Sequence, residues 1–487
     1  MSTFLKQHII GIFALLLCFG QTVACVLQAH HGQSLFNLSG TTSGKVELAM
    51  CIAMCMPIVL FEFLNPKRDN NNLAGYIYRA LSFVGLFLSA VLLALSESRT
   101  SWLASILGCC YIVHNELAKR RLTIKLWQKY VAIALFIVGS IGMYHLKTNS
   151  ANGRFLIWKI TTEELIHNNI SLLPRQGNFS TFFGDAQECY FSKAERPIAE
   201  QMLAGAPKYT YNEYLQFFVE WGLLATIVLI CLATYVCKKL FHSKTVYKIP
   251  IFGSLLSIAV ISAFSYPLRC TTSLFVVLCI ITITIGLTIK RACIKYCLLI
   301  VFISSFVCYF TWRYRHDLLI EKALNQCRQI DLMCTYDDPT KYLQCYERLN
   351  HILDREPEFM LAYAKALYGS RNYKPAIMCL HKAQYISGDP VLYLVEGKCR
   401  QKQKLYSKAA ELYKKAYYRI PHKIYPLYLL MNLYLLMNLY LEQRNFYNAN
   451  RTALKIIRTH PKIISPEFGF IQKEAKKITN KIYSPKQ

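Results

Sequence analysis

Ala94-Leu-Ser-Glu-Ser-Arg-Thr-Ser-Trp102 marks the place where one hydrophobic run stops and the next starts. Arg99, in its middle, stands at the edge of hydrocarbon. A charge held there is costly and usually meets an anionic partner. A spanning helix needs about 20 mostly apolar residues, and working outward from Arg99 marks nine candidate spans. They are Ile9–Leu27, Val46–Leu64, Tyr76–Leu95, Trp102–Leu117, Tyr130–Leu146, Phe217–Cys237, Ile249–Phe264, Thr271–Ile289 and Cys293–Phe310. The fourth is short for a span, and the first reads as an anchor rather than a cleaved signal.

Composition agrees with this division. The 487 residues are 54% hydrophobic with a mean hydropathy of +0.25, more apolar than an ordinary soluble domain. The apolar residues concentrate in the first 310 positions, and the remainder reads as a water-soluble helical domain. The expected fold class is all-α: a polytopic membrane helix bundle over 1–310, then a soluble helical repeat domain over 311–487. The net charge of +28 comes from short loops beside the apolar runs and from the region after Thr311, with 30 Lys/Arg against 15 Asp/Glu. Such a basic domain beside a membrane is drawn to anionic headgroups or acidic glycans. Its expected position outside the cytosol disfavours nucleic acid. The 19 cysteines show no metal-ligand spacing. Most read as small core hydrophobes, and a disulfide among Cys189, Cys327, Cys334, Cys345, Cys379 and Cys399 is chemically open.

Charge orients the spans. Lys67-Arg68, Lys119-Arg120-Arg121 with Lys125 and Lys129, Lys238-Lys239 with Lys244 and Lys248, and Lys290-Arg291 with Lys295 occupy alternate loops, which are therefore cytoplasmic. The loops Gln28–Lys45, Ser96–Ser101, Lys147–Gln216 and Ser265–Cys270 then lie outside, together with the C-terminal domain. This places Arg99, Arg154 and Arg269 on one membrane face. Lys147–Gln216 is by far the longest loop between spans, and loops of that length are usually functional. A helix is expected in it around Phe155–Ile166.

The C-terminal domain repeats itself. Tyr373, Ala376 and Ala383 recur as Tyr406, Ala409 and Ala416, a shift of 33, and again as Phe446, Ala449 and Ile456. Pro390 and Pro421 follow the first two copies and are expected to end the second helix of each, and Pro461 follows the third. The last shift is longer because Leu427-Tyr-Leu-Leu-Met-Asn432 is duplicated as Leu433–Asn438, which predicts a lengthened or irregular helix. A period of 33–34 with small residues at fixed offsets resembles tetratricopeptide repeats, whose stacked helix pairs share one continuous core.

Four segments together resemble the O-antigen ligase and O-antigen polymerase-type membrane proteins. Ser96-Glu-Ser-Arg-Thr-Ser-Trp-Leu-Ala104 is similar to their Ser-x-Ser-Arg segment, and Gly153-Arg154-Phe-Leu-Ile-Trp158 to their Gly-Arg-x-x-x-Trp segment. Tyr211-Asn212-Glu213-Tyr-Leu-Gln216 with Glu220-Trp-Gly222 is similar to their His-Asn-x-x-Leu … Glu-x-Gly segment, and Ser265-Tyr-Pro-Leu-Arg269 to a further one. Order, spacing and membrane side agree over roughly Ser34 to Arg269. The resemblance implies a multi-pass protein of the bacterial cytoplasmic (inner) membrane that transfers a glycan on its outer face. The implied donor is a polyprenyl-pyrophosphate glycan; the acceptor is a glycolipid, another glycan or a protein hydroxyl. No metal ion or other cofactor is implied. Membrane lipids, and a protein partner through the repeats, complete the expected partners.

The chemistry matches the residue types. Departure of the leaving group leaves negative charge on pyrophosphate, which fixed guanidinium groups accept by paired hydrogen bonds. Arg99 and Arg154 are the candidates, with Arg269 as an accessory. An interfacial anchor role for Arg99 and a salt bridge of Arg154 with Glu163 or Glu164 are the structural alternatives. The family's histidine is replaced by Tyr211, whose pKa near 10 makes it a poor base at neutral pH. Three readings stay open: Glu213 or Glu220 is the base, Tyr211 orients the acceptor without a dedicated base, or the protein is a non-catalytic relative. Asn212 is a candidate substrate contact and, with Glu213, also fits the cap and first turn of a helix. Trp158 and Trp221 suit stacking on sugar faces or an interfacial aromatic belt. The alternative from another class is a non-catalytic membrane scaffold for envelope glycan assembly that recruits partners through its repeats. Transport has little support, because Glu62 is the one acidic group that stands out inside a span.

Overall fold

The computed structural model describes residues 3–65, 73–121, 148–167, 172–174, 178–288, 292–441, 446–463 and 465–483, with isolated positions between 127 and 145. Among these residues the chain is all-helical, without a strand. It divides into two compact units. The first comprises 1–148, 210–218 and 223–310; the second comprises 149–209, 219–222 and 311–487.

The first unit is built from α1 (Thr3–His30), α2 (Lys45–Leu64), α3 (Leu73–Ser96) and α4 (Arg99–Lys119). After the loop it resumes with α8 (Glu213–Phe241), α9 (Lys248–Phe264) and α10 (Thr271–Thr288). Five helices are long and apolar enough to cross a membrane: His8–His30, Lys45–Leu64, Leu73–Ser96, Glu213–Phe241 and Thr271–Thr288. They coincide with five of the nine candidates. Trp102–Leu117 and Ile249–Phe264 are helical as α4 and α9 but fall short of that length or apolarity. Most of Tyr130–Leu146 lies outside the described residues, as do most side chains of Cys293–Phe310.

α2 sits at the centre, packed by α1, α3, α4, α9 and α10. This accounts for its being apolar all round, since a helix buried on every side has no polar face to present. Ala49 and Ala53 keep the surrounding helices close, and Met50, Cys51, Met54 and Cys55 fill the irregular spaces. α4 and α9 meet at Gly108, where a Cβ would come within 2.7 Å of Pro57 and 2.8 Å of the Gly253 carbonyl. Ser257 Oγ donates across this contact to the Ala104 carbonyl at 2.9 Å. Small residues and interhelical hydroxyl bonds drive packing where lipid removes the hydrophobic incentive. Glu62 is not solitary. Its carboxylate lies 2.8 Å from His8 Nδ1, and both side chains are buried. At the ends of α2 and α4, Asn65 donates to Glu116 at 3.1 Å and Lys119 donates to Asn65 at 2.8 Å.

The second unit contains α5 (Thr148–His167), α6 (Phe179–Lys193) and α7 (Ile198–Leu203) from the long loop. α11 (Ala292–Tyr336), which belongs to this unit from Thr311 on, α12 (Leu343–Leu353), α13 (Pro357–Gly369), α14 (Tyr373–Ile386), α15 (Pro390–Lys402) and α16 (Tyr406–Arg419) follow. α17 (Tyr425–Leu441), α18 (Phe446–Arg458) and α19 (Pro466–Tyr483) complete the chain. α13 packs on α14, α15 on α16, and α17 on α18, so helix pairs follow the sequence period. Pro357 and Pro390 occupy first-turn positions of α13 and α15, so these prolines open helices rather than close them. A proline in the first turn loses no intrahelical hydrogen bond.

The duplicated hexapeptide lies in α17, which has 17 residues against 13 in α13 and α15. Its two faces are both used. Leu430, Leu433, Tyr434 and Met437 join Ala409 and Tyr413, while Leu427 and Met431 join Tyr417, Ala453 and Ile456. The first copy of the hexapeptide thus supplies both clusters, and the second copy, Leu433–Asn438, supplies the first of them. All cysteines among the described residues are free thiols, including Cys189, Cys327, Cys334, Cys345, Cys379 and Cys399.

The long loop is no loose connector within this unit. α6 packs against α14 and α16. Arg419, with its side chain 1% exposed, donates to Asp185, to Glu188 at 3.4 Å and to the Gly388 carbonyl at 2.9 Å. Its guanidinium also lies 4.2 Å from the Tyr393 ring centroid. Gly388 packs so closely on α6 that a Cβ there would strike the Ser180 carbonyl.

Candidate functional site

The Ser-x-Ser-Arg segment forms a tight corner between α3 and α4. Glu97 takes the left-handed backbone conformation, φ 52°, that turns the chain. Ser96 Oγ donates to the Leu93 carbonyl at 2.7 Å, Trp102 Nε1 donates to the same carbonyl, and the Ser98 and Ser101 hydroxyls meet at 2.9 Å. The serines thus satisfy a bend that would otherwise expose backbone groups. Ser98 is the N-cap of α4 and Arg99 its first residue. The Glu97 carboxylate pairs with Lys45 at 3.3 Å. The first turn of α4 has no acidic residue, so the positive end of its dipole and the Arg99 charge add.

The third segment closes a second corner. Thr210 N–H donates to Gln216 Oε1 at 3.1 Å, Tyr211 stands at φ 57°, and Asn212 caps α8 by accepting from Leu215 N–H at 3.0 Å. Glu213 follows in the first turn and is buried. Its carboxylate accepts the Leu268 N–H at 2.8 Å and lies 3.7 Å from Arg269 Nε. The Tyr211 and Tyr266 rings meet edge to face, with centroids 5.4 Å apart. From α2, buried Glu47 accepts the Thr272 and Ser273 N–H groups at 2.9 and 3.3 Å. Two carboxylates therefore pin the segment that carries Arg269, one at each end.

The structure thus brings Tyr211, Asn212, Glu213 and Arg269 together in the first unit, which also holds Arg99. Arg154, Trp158 and Glu220 belong to the second unit. Arg154 and Trp158 lie on α5, where Phe155 and Trp158 meet edge to face at 5.4 Å. Lys159 donates to Glu200 at 2.7 Å, Tyr190 Oη donates to the same carboxylate at 2.6 Å, and the Arg196 guanidinium covers the Tyr190 ring at 3.8 Å. Burial pushes the Glu200 carboxyl up, but these hydrogen bonds and the charges of Lys159 and Arg196 outweigh it and hold the group below the ordinary range. Glu163, one of the partners considered for Arg154, pairs with Arg196 at 3.5 Å.

The Glu-x-Gly element has a backbone reason. Gly222, at φ 80° and ψ 179°, breaks α8 in a conformation essentially restricted to glycine. A Cβ there would come within 2.7 Å of the Leu173 carbonyl. Trp221, half exposed, precedes it. Sequence reasoning missed Glu47, Tyr266 and Gln216. Glu47 was legible as an acid one turn inside an apolar run, and Tyr266 lies within a segment already singled out.

No curated protein matches this chain. Residues 84–230, which carry the Ser-x-Ser-Arg corner, the Arg154 segment and the Tyr211–Gly222 corner, match the family model described as O-antigen ligase, and in this stretch the chain is similar to that family.

Proposed function

We propose that the protein transfers a glycan from a polyprenyl-pyrophosphate donor to a glycolipid, glycan or protein acceptor. The site lies on the outer face of a bacterial cytoplasmic membrane. In this reading residues 1–310 form the membrane domain with nine spans, while loop 147–216 and the tetratricopeptide-like repeats of 311–487 lie outside. The observation that carries it is the family match over residues 84–230, a stretch that contains three separate arginine- or acid-bearing segments.

Arg99, at the positive end of α4, and Arg154 would take the pyrophosphate as the sugar C1–O bond breaks, with Arg269 as an accessory. Helix N-terminal amides and guanidinium groups both stabilise phosphate charge. The acceptor oxygen forms the new bond to C1, and its proton passes to a base or to the departing pyrophosphate. Glu213 accepts the Leu268 amide and faces Arg269, so its carboxylate oxygens are already engaged in holding that segment. We therefore assign Glu213 to positioning Arg269. Tyr211 orients the acceptor, Asn212 shapes that corner as the α8 cap, and Glu220 is the remaining carboxylate for the base role. Trp158 supplies a face for a sugar ring.

The test is transfer by purified full-length protein given polyprenyl-pyrophosphate glycan and acceptors, scored by release of the pyrophosphate lipid. Arg99→Ala and Arg154→Ala should abolish release while inserting normally. Undiminished transfer by a stably inserted Arg99→Ala protein overturns the reading. Tyr211 in place of histidine favours a second reading, the non-catalytic scaffold. A scaffold loses function when the repeats are deleted and tolerates both arginine changes.

A further inference from the structure

Between the end of α6, the start of α7 and helices α16 to α18 lies a cavity of about 890 Å³, lined wholly by the second unit. Pockets of roughly 300–1,000 Å³ hold small organic ligands. Six Lys or Arg side chains line it against one acid, Glu195. Arg196 is already engaged by Tyr190 and Glu163. Lys414, Arg451 and Arg458 form no ion pair with any described acidic residue. Lys455 Nζ lies 4.5 and 5.0 Å from the Tyr417 and Tyr418 ring centroids. Partial burial holds this ammonium below the ordinary lysine range. The Glu195 charge opposes the shift and the Arg451 charge adds to it.

Like charges converge here without enough carboxylate to neutralise them, and they do so in a recess walled by tyrosines. A flat bilayer surface cannot enter a recess, so headgroup attraction does not explain it. Guanidinium and ammonium groups recognise carboxylate and phosphate. Tyrosines add flat amphipathic faces with hydroxyls at the edge, which suit a polyhydroxylated ring.

We propose that this cavity binds an anionic oligosaccharide, one whose sugar rings carry carboxylate or phosphate substituents. The site stands on the second unit alone and does not depend on the transfer reading. A binding measurement tests it whether or not the protein transfers glycan.

The experiment titrates detergent-purified full-length protein by calorimetry with a galacturonic acid tetrasaccharide, with an uncharged maltotetraose and with inorganic phosphate. The tetragalacturonate should bind, the other two should bind at least about tenfold more weakly, and added salt should weaken the first. The double substitution Arg451→Gln with Arg458→Gln, on exposed positions of α18, should weaken tetragalacturonate binding about tenfold or more and leave the melting temperature unchanged. Lys414→Gln gives an independent check from α16. Equal binding of maltotetraose, phosphate binding as tight as the oligosaccharide, or full affinity in both variants overturns the proposal.

Discussion

Arg269 Nε lies 3.7 Å from the Glu213 carboxylate, and that carboxylate also accepts the Leu268 N–H at 2.8 Å. One buried acid on α8 thus fixes both the backbone and the charge of a segment 55 residues away. Glu47 holds the far end of the same segment from α2. Arg269 reaches its place through two carboxylates that sequence alone gave no reason to connect to it.

The proposed role of Glu213 is to position Arg269 rather than to take a proton. Glu213→Gln keeps an oxygen for the Leu268 N–H and should reduce transfer less than tenfold. Glu213→Ala frees the segment, and misplacement of about 1 Å costs on the order of 10²-fold. Comparison of the two rates in the transfer assay checks this. Equal, near-complete loss in both would assign the carboxylate to proton transfer instead.

Arg419 holds the loop helix to the repeats. Its removal leaves only the longer Lys415 contacts to Asp185 and Glu188, at 3.8 and 3.6 Å, and opens a void beside Tyr393. Losing a hydrogen bond to a charged group costs roughly 1.5–3 kcal/mol. Arg419→Ala should lower the melting temperature of the full-length protein and expose α6 to limited proteolysis. Arg419→Lys should recover little, because a point charge cannot serve Asp185, Glu188 and the Gly388 carbonyl together.

Gly222 is required by geometry. Any side chain meets both a left-handed backbone and the Leu173 carbonyl. Gly222→Ala should destabilise the fold by about 1–3 kcal/mol, read as a shifted chemical or thermal midpoint. Ala substituted at the neighbouring exposed Trp221 should leave that midpoint unchanged.

His422 supplies a pH dependence. Its Nδ1 lies 3.0 Å from the Gln201 carbonyl, joining α7 to the repeats. Burial lowers its pKa from the usual 6.5. The Gln201 hydrogen bond opposes the shift, and the Lys462 and Lys423 charges assist it. The native value lies below the unfolded one, so the unfolded chain binds more protons between them. Stability therefore falls as pH drops through about 6.5 and levels off below the native value. The melting temperature should fall between pH 7.5 and 5.5, and His422→Gln should flatten that part of the profile.

The sequence by itself determined the helical class, the five helices long and apolar enough to cross a membrane, the paired helices with their period of 33, and the segments at which the backbone turns. These depend on hydropathy, residue spacing and turn chemistry, which are local. Asn212 was legible as a helix cap because capping involves only the next three residues. The tertiary structure decided what those segments hold. Glu213 to Leu268, Glu47 to Thr272, Glu62 to His8 and Arg419 to Asp185 are pairings between residues 54 to 234 positions apart, and none of these partners is named by the sequence around the acid. The docking of the loop on the repeats was likewise invisible, since Gly184, Gly388 and Arg419 carry no shared pattern. Their fit is a matter of shape and charge in three dimensions.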